Sequence, residues 1–412
     1  MTSTSRPGAE PILLAFSGGL DTSFCVPWLK ETYQRPVITV TVDTGGIDAA
    51  AAQSLAERSQ KLGAIEHHLI DARTPYFEQV LKYLLMGNVR RGGVYPLCVG
   101  AERVLQAQTI AQMALSLGTK MVAHGCTAAG NDQVRFEVAL RTLGPDLEII
   151  APVRDRAFKR PEQLKYLEDH RLPIPPFGAA YSVNRGLWGV TIGGKETLTS
   201  EGSIPDDAWV LSKDAFSAPR APQRHVIGFA RGVPVSLDGS ARSAVAIIEE
   251  LERLAGPFGI GRGIHLGDTV IGTKGRVAFE APAADVLLTA HRELEKLVLT
   301  GKQARIKDAV AQPYGDLVHE GQHLDPVCRD IEALLLSSQA RVSGEVRVLF
   351  RPGSMFVEGV ASPYSLMAAS KGVYGESAGE WTPTDALGYS KMLALTGVFY
   401  HRAGAHAAGA DT

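Results

Sequence analysis

A short segment near the N-terminus has the composition of an anion-binding loop. Ser17–Ser23 (SGGLDTS) lies between an apolar run and an amphipathic segment. Gly18 and Gly19 allow a tight turn that points backbone N–H groups inward, and the start of the following helix favours anions. The hydroxyl groups add donors, and Asp21 can either cap the helix or hold magnesium against phosphates. The segment therefore predicts a phosphate-binding loop, with a plain capped turn as the alternative.

A second polar cluster follows another apolar run. It spans His124–Glu137 (HGCTAAGNDQVRFE) and combines hydroxyl, amide, carboxylate and guanidinium groups, which can bind carboxylates and ammonium groups. Simpler interpretations stay open for its members. Asp132 can cap a helix, Arg135 can be a surface residue, and His124 is expected to pack at a strand end rather than act as a base. Tyr95, earlier in the chain, reads as a structural aromatic when taken alone.

The elements that must position these clusters alternate in type. Strands are predicted at 11–16, 37–42, 65–70, 120–124 and 147–151. Helical patterns occupy 21–34, 49–62, 74–87, 101–117 and 131–143, the first with Pro27 as an expected kink. Alternating strands and helices predict an α/β fold with a doubly wound parallel sheet. Both polar clusters would then face one crevice at the carboxyl ends of the strands.

The pattern changes at Leu172–Gly178, where three prolines suggest a linker. We expect a loop-rich stretch over 181–234, then a mixed α+β domain. Its predicted helices cover 241–254, 284–300 and 326–339, and its β-rich runs cover 269–272, 277–280, 342–350 and 355–360. A last helix is predicted over 384–402, before a disordered tail. The expected domains are therefore 1–175, 176–380 and 381–412.

Composition excludes several classes of protein. The 412 residues carry 42 Lys+Arg and 44 Asp+Glu, and this balance argues against a sequence-independent nucleic-acid binder. The longest apolar runs fall far short of the ~20 residues of a membrane span. Residues 1–10 have no secretory signal pattern. The four cysteines lack C-x-x-C spacing, so we expect reduced thiols in a cytoplasmic protein.

The loop SGGLDTS lacks the lysine of a Walker A loop and the spacing of a dinucleotide fold. It resembles the PP-loop of the ATP pyrophosphatases, which have an adenine nucleotide alpha hydrolase-like domain. Within that superfamily the chain resembles the argininosuccinate synthase family. The matching segments are Leu14–Ser23 (LAFSGGLDTS), His124–Phe136, Tyr181–Gly189 (YSVNRGLWG), Glu201–Val210, Val270–Arg276 and Ser337–Arg341.

This resemblance implies a ligase that joins citrulline to aspartate through a citrullyl adenylate, using ATP and Mg²⁺ and releasing AMP and pyrophosphate. It implies a C-terminal synthetase domain, a homotetramer assembled with help from the last helix, and catalytic roles for Ser17, Asp21, Ser23 and Asp132. The implied ATP-binding residues are Ala15, Phe16, Ser17, Gly18, Gly19, Leu20, Asp21, Thr22, Ser23, Val42 and Gly125. Aspartate would be bound by Thr127, Asn131 and Asp132, and citrulline by Tyr95, Asn131, Arg135, Ser182 and Thr191. Magnesium would be held by the phosphates and Asp21.

Several positions depart from the family pattern. A lysine of the second cluster is Ala129 here, so a phosphate contact is either lost or supplied by another cation. In the expected citrulline pocket a Ser or Thr is Gly100, a Glu is Gly267 and a Tyr is Phe279. Asp268 or the segment 193–222 can compensate; alternatively, the pocket tolerates an acylated α-nitrogen on citrulline. The rival functions are another PP-loop ligase and a non-catalytic ATP-binding homologue.

Overall fold

A computed structural model describes residues 10–175 and 181–410, with side chains described to residue 406. The chain divides into two compact units, 1–362 and 363–412. Residues 176–178 of the predicted linker lie outside the described residues. Within the described ranges, no helix combines the length and apolar character needed to cross a membrane.

The predicted parallel sheet is confirmed. Its strands are β1 (Ile12–Ala15), β2 (Val37–Asp43), β3 (Glu66–Asp71), β4 (Met121–Ala123) and β5 (Glu148–Ile150). They lie in the order β3-β2-β1-β4-β5, and every neighbouring pair is parallel. All of β2 (VITVTVD) is buried, as expected for a β-branched strand covered on both faces. Because the order reverses between β1 and β4, a crevice opens where these two strands end.

Helices connect these strands much as the periodicity predicts. They are α1 (Leu20–Tyr33), α2 (Ala49–Lys61), α3 (Arg73–Tyr76), α4 (Lys82–Met86), α5 (Glu102–Leu117), α6 (Asp132–Leu143), α7 (Pro152–Asp155) and α8 (Arg160–Asp169). A π-helical turn, Phe77–Leu81, joins α3 to α4. Pro27 lies inside the continuous helix α1. Helix α1 begins at Leu20, directly after the glycine-containing loop, as an anion site requires.

The rest of the first unit contains two antiparallel sheets. The strands are β6 (Ser182–Gly186), β7 (Gly189–Gly193), β8 (Gln223–Ala230), β9 (Val233–Leu237), β10 (Ser240–Ala241), β11 (Arg262–Asp268), β12 (Lys274–Glu280), β13 (Gly344–Arg351) and β14 (Ser354–Ala361). One sheet has the order β10-β9-β8-β13-β14 and the other β11-β12-β7-β6. Four long helices pack with them: α9 (Ala244–Ala255), α10 (Pro282–Val298), α11 (Gly301–Glu320) and α12 (Pro326–Ser338).

The prediction of a loop-rich stretch over 181–234 holds for residues 194–222, which contain only two short 3-10 helices, and is wrong on either side of them. This stretch contains the hairpin β6–β7 and the strands β8 and β9. Strand β7 pairs with β12, and β8 pairs with β13, both far away in sequence. Short strands rich in glycine and polar residues carry a weak local pattern, and these distant partners stabilise them.

Three further errors lie between 262 and 320. The run 269–272, predicted as β-rich, is the turn between β11 and β12, where Gly272 has φ +85°. The sequence reading also missed β11 and the whole of α11, a helix of 20 residues that contains Pro313. A proline in a helical pattern usually marks an end, but here it lies in the middle.

The second unit contains α13 (Leu366–Ala369) and α14 (Pro383–Ala410). Thr382 lies directly before α14: its backbone N–H and hydroxyl donate to Asp385, and Asp385 N donates back to Thr382 Oγ1. The predicted end at residue 402 is wrong, because the helix continues to Ala410. Residues 403–410 are small and consist mainly of alanine, which favours a helix over disorder. Residues 411–412 of the predicted tail lie outside the described residues.

Candidate active site

A cavity of about 760 Å³ opens at the carboxyl ends of β1, β2 and β4. It lies at the reversal of strand order, where α/β sheets bind ligands. Many residues predicted from the sequence line it. They are Ala15, Phe16, Ser17, Gly19, Leu20, Asp21, Thr22, Val42, Gly125, Asp132 and Ser182. The sequence argument therefore located the crevice and much of its lining.

The loop after β1 is held by its own hydroxyl groups. Ser17 N donates to Thr22 Oγ1 (3.3 Å), and Thr22 Oγ1 donates to Gly19 O (3.3 Å). Gly18 has φ +73°, and an added Cβ would lie 2.4 Å from Leu55 Cδ2 on α2. The carbonyl of Gly18 accepts from Arg58 Nη1 (2.6 Å), also on α2. The loop is thus fixed before any ligand arrives, which lowers the entropic cost of binding.

Not every predicted loop residue faces the cavity. Ser23 is fully buried, and its hydroxyl points to the carbonyl of Gly18 (3.5 Å). Gly18 itself faces Leu55 and Arg58 rather than the open space. Ser23 and Gly18 therefore hold the conformation of the loop without facing the cavity.

The segment after β4 meets the loop directly. A Cβ on Gly125 would lie 2.9 Å from Thr22 Cγ2 and 3.2 Å from Thr22 N. The adjacent His124 is 1 % exposed, and burial lowers its pKa to about 4. Its Nδ1 accepts from Cys126 N (3.3 Å). His124 is therefore a packed, neutral strand-end residue, as the sequence suggested.

Asp132 is the first residue of α6, and its carboxylate accepts hydrogen bonds from two guanidinium groups. Its Oδ2 accepts from Arg103 Nε (2.9 Å) and its Oδ1 from Arg135 Nη1 (2.8 Å). Burial would raise the pKa of Asp132, but the two charges outweigh burial and lower it to about 2. Arg135 is buried and also donates to His319 O (2.7 Å). The helix-cap interpretation of Asp132 and the surface interpretation of Arg135 are therefore wrong.

Sequence reasoning missed a buried network beside Asp132. Glu102, the first residue of α5, is 2 % exposed and lines the cavity. Its Oε2 accepts from Thr44 Oγ1 (2.7 Å) and its Oε1 from Arg103 Nη1 (2.8 Å). Gln106, one turn further along, donates from Nε2 to Thr44 Oγ1 (3.2 Å) and accepts from Arg103 Nη1 (2.9 Å). The only sequence signal for this network was the pair Glu102-Arg103 at a helix start, a few residues after Tyr95-Pro96.

The cavity is lined by four arginines, Arg58, Arg103, Arg160 and Arg185. The absence of a lysine at Ala129 left two alternatives, a lost phosphate contact or one supplied by another cation. Arg58 already contacts the loop backbone, and Arg160 is the first residue of α8. Arg103 pairs with Glu102 and Asp132, and Arg185 pairs with Glu252, so Arg58 and Arg160 are the guanidinium groups that can offer charge to a polyphosphate.

Other predicted site residues lie outside the cavity lining. Thr127 is exposed, and Asn131 Oδ1 accepts from Val270 N (2.9 Å) in the turn between β11 and β12. Tyr95 is buried, with its ring stacked on His265 at 5.4 Å. Thr191 is buried on β7, opposite Phe279 of β12. Of the residues predicted for citrulline, only Ser182 lines the cavity, while Asn131, Tyr95, Arg135 and Thr191 do not.

The positions that depart from the family pattern are closely packed. A Cβ on Gly100 would lie 3.0 Å from Arg135 Nη2, and one on Gly267 would lie 2.5 Å from His265 Nε2. The ring of Phe279 packs 5.2 Å from that of Tyr95. Asp268 forms an ion pair with Lys274, and its own carbonyl accepts from Arg91 Nη1 (3.0 Å). Side chains of this protein thus fill the space that the missing groups would take.

Comparison with known proteins assigns both halves of the chain. Residues 11–173 match the family description "Arginosuccinate synthase N-terminal HUP domain", and residues 181–400 match "Arginosuccinate synthase C-terminal domain". The chain belongs to the argininosuccinate synthase family. Because the descriptions of both domains match, the chain is assigned to this family and not to another family of PP-loop ligases.

Individual members of the argininosuccinate synthase family match nearly end to end. The chain is 40 % identical to the argininosuccinate synthase of Xanthomonas campestris pv. campestris, over 95 % of this chain and 98 % of that protein. It is 40 % identical to that of Pyrobaculum aerophilum (94 % and 97 % covered) and 36 % identical to that of Dictyoglomus turgidum (95 % and 97 % covered).

Proposed function

We propose that this protein is an ATP-dependent C–N ligase that joins citrulline and aspartate to form argininosuccinate in arginine biosynthesis. AMP and pyrophosphate leave, and a citrullyl adenylate is the intermediate. The observation that supports this most strongly is the cavity at the β1/β4 reversal, lined by the SGGLDTS loop, in a chain that matches the family over both domains.

The roles of individual residues follow from position and charge. Ser17, Gly19 and Thr22 would bind the phosphates, with Arg58 and Arg160 contributing charge. The ureido oxygen of citrulline would attack the α-phosphate, and catalysis would rest on positioning and charge stabilisation. Asp132 would pair with the aspartate ammonium, since its low pKa keeps it ionised at neutral pH. From the family resemblance alone, aspartate is also assigned to Thr127 and Asn131, and citrulline to Tyr95, Asn131, Arg135, Ser182 and Thr191; of these residues only Ser182 lines the cavity.

Magnesium is expected to bind chiefly through the triphosphate. Among the described residues, no three His, Cys, Asp or Glu side chains are grouped to hold a metal. The carboxylate of Asp21 and the hydroxyls of Ser17 and Thr22 are hard oxygen donors that suit Mg²⁺ beside phosphates. The bound ion would neutralise charge on the phosphate oxygens.

We also propose that the protein is a homotetramer that works in the cytoplasm, where its cysteine thiols would stay reduced. The domain limits 1–175, 176–380 and 381–412 likewise remain a proposal.

Pyrophosphate release tests the proposed function. The purified protein is mixed with ATP, Mg²⁺, citrulline and aspartate, and each amino acid is omitted in turn. We expect full pyrophosphate and AMP release only with both, with argininosuccinate identified by mass spectrometry. ATP binding without any citrulline-dependent pyrophosphate would instead indicate a non-catalytic ATP-binding homologue.

A further inference from the structure

The cavity contains a buried carboxylate for which the proposed mechanism has no use. Besides Asp21 at the phosphate loop and Asp132 between two arginines, Glu102 lines it. Glu102 lies under the hairpin β6–β7, where Gly186 leaves room for it: a Cβ on Gly186 would be 2.3 Å from Glu102 Oε2. A buried carboxylate in a reaction cavity is costly unless its hydrogen bonds are satisfied, which makes its presence informative.

We propose that Glu102 is the proton acceptor that activates the aspartate amine in the second half-reaction. This inference rests on the proposed function. Arg103 donates to both Glu102 and Asp132, so a substrate ammonium held at Asp132 would lie beside Glu102. Each oxygen of a carboxylate can accept two hydrogen bonds, so Glu102 Oε2, with its bond from Thr44, has acceptor capacity left.

The step balances as follows. The aspartate ammonium gives one proton to Glu102, and the freed lone pair forms the C–N bond at the ureido-derived carbon of the protonated adenylate. The C–O bond to AMP breaks, and its electron pair leaves with the AMP oxygen, which takes the second amine proton. The product is the argininosuccinate guanidinium, and Glu102 returns its proton to water.

Three other titratable groups of the cavity, Asp132, His124 and Cys126, are poorly matched to this task. The pKa of Asp132 is lowered to about 2, that of His124 to about 4, and burial raises that of Cys126 to about 12. Burial raises the pKa of Glu102 to about 7, against the opposing effects of Arg103 and Thr44. A base works best when its pKa lies near the working pH.

The groups that face Glu102 enter its pH dependence, among them Tyr76 on α3 and Cys98 before α5. Arg103 and Gln106 lie on α5, Asp43 and Thr44 at the end of β2, Asp132 on α6, and Asn184 of β6 accepts from Arg103 Nη2 (3.5 Å). Because the base must be ionised, argininosuccinate formation should be lost as pH falls through about 7, the pKa of Glu102. Pyrophosphate formation needs no amine and should lack this dependence.

Single-turnover quench experiments on Glu102→Gln test the proposal. Gln keeps the shape of the side chain, and its amide oxygen can accept a hydrogen bond from Arg103. The Thr44 hydroxyl can rotate to accept a hydrogen bond from the amide NH₂ group. With all three substrates present, the pyrophosphate burst should match the wild type. Argininosuccinate formation should fall by about 10²-fold or more, the usual effect of losing a general base. In this variant the rate of argininosuccinate formation should also no longer fall as the pH is lowered.

Two controls make the result decisive. Thr44→Val keeps the carboxylate but removes a hydrogen bond to it, so the pH dependence should persist and move to higher pH. A Glu102→Gln variant that slows pyrophosphate and argininosuccinate equally, or neither, overturns the proposal. If this variant does not fold, the wild type decides: a pH dependence common to both steps, or absent from both, overturns it. A wild type that forms neither product overturns the proposed function instead.

Discussion

At the scale of single residues, Asp21 is the first acidic group of α1 and lines the cavity beside Ser17 and Thr22. We predict that Asp21→Asn folds normally but loses adenylation by about 10²-fold or more, the usual effect of losing one charge-stabilising group. Citrulline-dependent pyrophosphate release measures it. Glu31→Gln is the matched control, because Glu31 lies on the same helix and bonds to Tyr166 instead. Unchanged release in Asp21→Asn would exclude the role.

Asp132 should select aspartate. Asp132→Ala removes the carboxylate that would pair with the substrate ammonium, so the apparent KM for aspartate should rise far more than that for ATP. Glu137→Gln is the control: Glu137 also lies on α6 and pairs with two arginines, Arg141 and Arg154, but does not line the cavity. A change in the ATP constant alone would contradict the assignment.

What could be predicted at this scale depended on local spacing. Ser17, Asp21 and Asp132 lie in short motifs directly after strands, so their arrival at one crevice followed from topology. Glu102 and Arg58 lie on helix faces, and their approach to the site depends on how α5 and α2 pack. The Glu-Arg pair at the start of α5 is a weak local signal and does not encode that packing, which is why sequence reasoning missed both residues.

At the scale of elements, the turn from β1 into α1 depends on Gly18. Its φ of +73° costs a side-chain residue about 1–2 kcal/mol, and a Cβ would also press on Leu55. Gly18→Ala should therefore lower the free energy of unfolding by at least that amount and weaken stabilisation by added ATP. Gly19→Ala is the control for stability, because Gly19 has φ −73° and the nearest contact to its Cβ is 3.5 Å. Equal unfolding free energies would contradict the prediction.

Elements were predictable where each carries its own pattern. The parallel sheet was predicted because apolar runs at its strands alternate along the chain with helical segments. The hairpin β6–β7 was not, because its stability comes from β12, about 85 residues further along. Helix α11 was missed because Pro313 interrupts its pattern.

At the scale of the whole molecule, the second unit exposes a long apolar helix. On α14, Leu387, Met392, Leu393 and Phe399 are all more than half exposed in the single chain. Burying this apolar surface against other copies of the chain would be favourable. We therefore predict that α14 is an oligomerisation arm.

Truncation measures this directly. A chain ending at Glu380 should give a smaller mass than the full chain in size-exclusion chromatography with light scattering. The double substitution Leu393→Asp and Phe399→Asp should shift the mass in the same direction, because each charge would be buried without a partner at the interface. Lys391→Glu, which changes charge on the same helix without removing apolar surface, should leave the mass unchanged. A truncated chain with the full assembly mass would show that α14 does not hold the copies together, and the apolar surface would then have to serve its own chain.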